Sequence, residues 1–196
     1  MPLQNRVTPE GQIIAHPARG TLMGNRGILH GADQRFGVAR WRHKAWITCV
    51  LDFKGRHRKV MSPNRYTELF FLDEFVALAA GHRPCAECRR ADFNAYRAAL
   101  SPDKKLSAPQ IDALLHPARV TRDRRQVTYE ARIGDLPDGV FVLWDGQPCL
   151  LLQGQFFPYF PDGYAEPLTA PGTQIVTVLT PEPNVRALRG GFRARA

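Results

Sequence analysis

The chain has 196 residues, 44% of them hydrophobic, and carries 27 Lys and Arg against 18 Asp and Glu, for a net charge of +9 and a pI near 9.9. That length holds one or two domains with a real core. The composition excludes a disordered chain, no stretch approaches the ~18 apolar residues of a membrane helix, and residues 3–14 hold no apolar run of signal-peptide type, so a cytoplasmic protein is expected.

The positive charge is uneven. Residues 1–100 carry 16 basic against 8 acidic side chains, and residues 101–196 carry 11 against 10. A basic half attracts polyanions, and phosphate backbones are the commonest of these. A nucleic-acid partner is therefore expected, DNA ahead of RNA. The plainer alternative is a solvated basic surface with no partner.

Residues 1–34 are weakly patterned and broken by Pro2, Pro9, Pro17 and several glycines. They read as an arm with one short strand. Residues 46–53 (WITCVLDF) are rich in β-branched and aromatic side chains, Lys54 and Gly55 supply a turn, and residues 56–60 (RHRKV) return as a basic strand. A two-residue turn there pairs Asp52 with His57 and Cys49 with Val60. Alternation then puts Cys49 and His57 on opposite faces unless a bulge intervenes.

Residues 66–72 form a short apolar segment. Asp73 caps a helix over residues 74–80, and Gly81 is suited to ending it. A second helix is expected from about Cys88 to Leu100. A third runs from a Ser107 cap to His116, stopped by Pro117. Asp112 and His116 share a face of that helix, where a solvated neighbour pair is a better reading than a metal or acid–base pair.

Beyond residue 120 the texture turns to strands: 127–133, a hairpin over 140–144 and 149–152 around Asp145 and Gly146, a further turn at Gln153 and Gly154 into 155–157, and 174–180. A short helical turn at 184–188 and a basic tail follow. Residues 156–160 (FFPYF) read as core and turn first, and as a stacking platform for bases second.

The chemistry-bearing stretch is GHRPCAECRR, residues 81–90. Two thiolates separated by two residues can face one ion across a tight turn. A following helix N-terminus and nearby arginines favour the ionised form. A closed zinc site needs four ligands, and this pair supplies two. A thioredoxin-like redox pair fits less well, because a helix and Gly81 precede it rather than a strand. Cys149, in a leucine-rich segment, reads as a small buried hydrophobe.

Residues 69–90 (LFFLDEFVALAAGHRPCAECRR) resemble the zinc-binding domain of Ada-type DNA alkylation-repair proteins: a short apolar strand, an Ala-rich helix, Gly81, and then Arg83, Pro84, Cys85 and Cys88. The close match spans about 22 residues and a looser one residues 45–97. The resemblance implies that Cys85 and Cys88 are the second ligand pair of a zinc site. In the family the first pair is two upstream cysteines, one of the four cysteines accepting a methyl group from a DNA phosphotriester. This chain departs there, offering only Cys49, with His57 as its nearest potential partner. Three arrangements stay open: a site of Cys49, His57, Cys85 and Cys88; one completed by His30, His43 or His82; or the fold without its metal.

The expectation is an α+β fold: an arm over residues 1–34, an Ada-like hairpin-helix metal-binding unit over 35–118, and a mostly antiparallel β unit with a basic tail over 119–196. The expected function is nucleic-acid binding on a scaffold stabilised by Zn2+, in a repair or processing context that the resemblance implies. Arg40, Arg42, Lys44, Lys54, Arg56, Arg58, Lys59, Arg89 and Arg90 are the candidate phosphate contacts, which position a protein without reading sequence. Two alternatives remain. One is a nuclease or other nucleic-acid-modifying enzyme with its site between the units, near Asp52, His57 and the aromatic cluster, although no Walker, HNH, HExxH or GxSxG pattern is present. The other is a small-ligand or partner-binding module with a structural zinc.

Overall fold

The computed structural model describes residues 1–56 and 59–196; His57 and Arg58 lie outside it. The fold is α+β, with helices packed between and against two sheets. The first sheet has the order β2-β1-β5-β3-β4-β6, from β1 (Gln4–Val7), β2 (Ile13–Ala15), β3 (Leu22–Asn25), β4 (Ile47–Cys49), β5 (Leu69–Phe71) and β6 (Arg83–Pro84). Its β1/β5 and β4/β6 pairs are parallel and the others antiparallel. No described helix is long and apolar enough to cross a membrane.

Residues 1–34 are thus not an arm with one strand but supply three strands, one of them central. Gly24, which makes this region look loop-like, is required by close packing: a Cβ there would lie 2.1 Å from the Ile47 carbonyl oxygen. The expected basic hairpin is also corrected. Lys54 and Gly55 do turn the chain, with φ of 56° and 65° and Arg56 N–H donating to Phe53 O at 3.2 Å. No flanking ladder forms among the described residues. Instead β4 pairs with β3, placing Cys49 opposite Met23 rather than Val60. Long-range pairing into a mixed sheet satisfies the backbone of 47–49 better than a local hairpin does.

Helix α1 (Glu74–Ala79) is capped by Asp73, whose carboxylate accepts from Val76 N–H at 2.9 Å, and Gly81 leaves it at φ 81°. Helices α2 (Arg90–Leu100) and α3 (Ala108–Arg119) follow. Ser107 starts α3 as expected, and Gln110 joins it in a capping box, its Oε1 accepting from Ser107 N–H at 2.8 Å. Pro117 does not stop it: the helix runs to Arg119, whose guanidinium donates to Gly81 O at 2.7 Å and Lys44 O at 2.6 Å and so holds the last turn in place.

The second sheet is antiparallel, in the order β11-β10-β9-β8-β13-β7 with β12 also on β10. Its strands are β7 (Tyr129–Arg132), β8 (Val140–Trp144), β9 (Gln147–Leu152), β10 (Gln155–Phe160), β11 (Gly163–Tyr164), β12 (Leu168–Thr169) and β13 (Ile175–Val178). Both faces of its middle are covered, which explains its unbroken apolar runs. Val140, Val142 and Leu151 pack with Leu78, Phe93, Tyr96, Ile111 and Leu115, together with Val185 of α4 (Glu182–Arg189). Phe141 and Leu150 turn to the other side and join Val7, Phe71, Phe75 and Val76. Phe156 and Tyr159 are buried and Phe160 is exposed, so the aromatic run is core and edge. Cys149 is buried, as expected of a small hydrophobe.

Asp112 is not a solvated neighbour of His116. It is buried and takes both forks of Arg83, Nε to Oδ1 and Nη2 to Oδ2, each at 2.8 Å, with both side chains under 10% exposed. Removing one member of such a pair strands a buried charge. Asp112→Ala is expected to cost about 3–5 kcal/mol in denaturant unfolding.

His82, also fully buried, accepts from Arg26 Nε at 3.0 Å through Nε2, so Nδ1 carries the proton and donates to Ile47 O at 3.1 Å. Burial first, and the Arg26 charge second, hold its pKa well below 6.5. Below about pH 6.5 the unfolded chain therefore takes up a proton that the folded chain refuses. Stability should fall with pH there by up to about 1.4 kcal/mol per unit. Urea unfolding from pH 7.5 to 5 checks the slope, and NMR should find the His82 ring neutral throughout the folded range.

Candidate metal centre

Strands β4 and β6 run parallel, with Ile47 beside Arg83 and Thr48 beside Pro84. Arg83 N–H donates to Trp46 O at 3.1 Å and Cys85 N–H to Thr48 O at 2.9 Å. Both strands end at the same level, so Cys49 and Cys85 emerge side by side. The chain then makes a tight turn in which Arg89 N–H returns to Cys85 O at 3.2 Å, bringing Cys88 back to the pair. The Sγ atoms of Cys49, Cys85 and Cys88 all lie within 4.8 Å of one another. Metal–sulfur bonds of ~2.3 Å in a tetrahedral site need sulfurs about 3.8 Å apart, within small rotamer adjustments of this cluster. The three are free thiols, Cys85 buried and the other two half-buried.

The cluster favours one thiolate first. Cys85 is lowered to about 5, chiefly by the hydrogen bond from the Cys49 thiol and also by the backbone N–H groups of Glu87 and Cys88. Glu87 N–H points at Cys85 Sγ from 3.4 Å. Cys49 is pushed up because it holds the proton shared with Cys85, with burial adding to the effect. Burial raises Cys88. Three crowded thiols that resist joint ionisation are what a soft cation relieves, because it takes the place of their protons.

The alternative histidine ligands separate clearly. Both nitrogens of His82 are used, as described above. His30 is also occupied, by Thr67 Oγ1 at 2.6 Å and Ser62 O at 3.3 Å. His43 is exposed and outside the cluster. Among the described residues no fourth ligand joins the three sulfurs. His57, the sequence candidate, lies outside the described residues.

The candidate phosphate contacts divide as well. Arg40, Arg42, Lys44, Lys54, Arg56, Lys59 and Arg90 are exposed, and Arg58 lies outside the described residues. Arg89 is buried and has no face left for a phosphate. Its guanidinium meets Glu74 at 2.7 Å, Asp92 at 2.8 Å and Thr48 Oγ1 at 3.1 Å, and so ties the turn after Cys88 to α1 and β4. A pattern of adjacent arginines cannot show which one turns inward. Arg56 reaches Glu87 at 3.3 Å, fastening the 53–56 turn to the Cys85–Cys88 loop. The sequence carried no signal for that ion pair, since the two residues are remote in the chain.

Fold and site thus define an α+β protein with a three-cysteine cluster able to hold a metal ion. Comparison with protein-family models, curated proteins and solved structures finds no match for the chain.

Protein purified without added metal is expected to carry about one ion per chain by elemental mass spectrometry. Cys49→Ser, Cys85→Ser and Cys88→Ser should each lower that content strongly, while Cys149→Ala leaves it unchanged.

Proposed function

We propose that this protein binds nucleic acid, duplex DNA in the first instance, through a basic surface organised by a structural zinc site of the Ada type. The observation that carries the reading is the company the thiol cluster keeps. Lys54, Arg56, Lys59 and Arg90 are exposed on the segments around Cys49, Cys85 and Cys88, and Arg56, with Glu87, is the only one of the four in an ion pair among the described residues. Exposed cations that, apart from Arg56, stand outside ion pairs among the described residues suit phosphate contacts. Arg40, Arg42 and Lys44, also exposed, extend the set.

In this reading Cys49, Cys85 and Cys88 are zinc ligands and His57 is the fourth. Three sulfurs and an imidazole form an ordinary closed structural site. Zinc there would tie the ends of β4 and β6 to the Cys85–Cys88 loop and would do no chemistry on the nucleic acid. The repair context follows from the resemblance of residues 69–90 alone.

Duplex affinity should be largely independent of sequence and fall steeply with salt, with log K linear in log[salt]. The triple variant Lys54→Ala, Lys59→Ala, Arg90→Ala should weaken binding of a labelled duplex and flatten that slope by about 0.9 for each phosphate it no longer neutralises. Binding that ignores both salt and these substitutions rules the reading out.

A further inference from the structure

A cleft of about 730 Å³ opens between the 26–46 loop and the 120–126 turn. Five arginines line it, Arg26, Arg40, Arg119, Arg124 and Arg125, against one acidic side chain, Glu10. Two of the five are buried. Arg26 and Arg119 each lie on the indole of Trp46, their guanidinium carbons 3.9 and 4.0 Å from its centroid.

Among the described residues neither buried guanidinium bonds to a carboxylate. Arg26 donates to His82, Gly11 O and Ala80 O. Arg119 donates to Gly81 O, Lys44 O and His116 Nδ1, and among the described residues its Nε has no hydrogen-bond partner. Asp112, the carboxylate that acts on Arg119, is already forked to Arg83. Burial, with mutual repulsion added at Arg26, lowers both arginines to about 9, so both remain charged at pH 7. Two buried charges without a carboxylate beneath a cleft give it a positive potential that favours an anion.

The rim supplies the contacts. Arg40 and Arg124 are exposed, and Arg124 Nη1 donates to Val38 O at 2.8 Å, which holds the two loops together. Trp41, half-buried and packed on Trp46 at 5.9 Å, gives the cleft an aromatic wall. The volume is in the range of small-molecule sites and far larger than a lone phosphate needs. Arg125 is already paired with Asp123 at 2.6 Å, so Arg40 and Arg124 are the rim guanidiniums outside ion pairs among the described residues, and a guanidinium fork suits a phosphate.

We infer that this cleft binds a phosphorylated ring compound of nucleotide size, its phosphate held by Arg40 and Arg124 over the buried Arg26 and Arg119, and its ring against Trp41. The site requires neither the metal nor duplex binding.

Tryptophan fluorescence of the full chain, titrated with AMP, inorganic phosphate and adenosine, tests it. AMP should give a saturable response at least tenfold tighter than phosphate, and adenosine none over the same range. The double variant Arg40→Ala, Arg124→Ala, both at exposed positions, should weaken AMP at least tenfold, and Arg125→Glu should do so separately. Lys54→Ala with Lys59→Ala should leave AMP unchanged. No saturable AMP response, an equal response to adenosine, or indifference to the rim substitutions overturns the proposal. A short DNA strand with and without a 5′-phosphate identifies the source: tighter binding of the phosphorylated strand than of AMP points to a strand end, the reverse to a free nucleotide, and either supports the site.

Discussion

Arg83 is the residue on which the arrangement turns. Its backbone pairs with β4, its guanidinium is forked to Asp112 on α3, and Cys85 follows two residues later. A guanidinium that is 3% exposed needs a matched counter-charge, and Asp112 supplies one in the geometry that suits it. The pair ties β6, the edge strand of the first sheet, to α3 and so fixes its register against β4. That register sets Cys49 beside Cys85. The neighbours tighten the same clamp: Gly81 passes so close to Arg119 that a Cβ would meet its side chain at 2.6 Å, and His82 bridges Arg26 and Ile47. Residues 81–85 form a buried strip in which His82, Arg83 and Cys85 each engage a different part of the fold.

The arginines fall into three physical classes that composition cannot separate. Arg83 and Arg89 are buried and neutralised by carboxylates. Arg26 and Arg119 are buried and held by carbonyls and aromatic faces. Arg40, Arg42, Arg90 and Arg124 stand in solvent. The first class builds the scaffold, the second sets up a local field, and only the third is free to meet a partner directly. The exposed cations gather around the thiol cluster and at the rim of the arginine-lined cleft.

Elements governed by local chemistry were legible. The Asp73 cap, Gly81, the Ser107 cap and the turns at Asp145 and Gln153 announce themselves through residues that act within a few positions. The pairing of Cys85 with Cys88 was visible for the same reason. The three short strands of the first 25 residues were not, because strands of three or four residues joined across the chain leave no period long enough to read. Pro117 misled in a similar way: its local cost is real, but Arg119's bonds to remote carbonyls outweigh it.

By itself the sequence determined the α+β class, the helix boundaries near their caps, the excess of positive charge in its first half, and a two-cysteine turn suited to a soft cation. Those properties arise from neighbours in the chain. Only the tertiary structure decided that Cys49 completes a trio, that His30 and His82 are occupied elsewhere, that Asp112 answers Arg83, and that Arg26 and Arg119 meet on Trp46 from positions 93 residues apart. Each of those outcomes depends on strand register and on which face of an element is buried. Both are set by the packing of the whole chain, where the cost of an unpaired charge or an unsatisfied backbone group is finally settled.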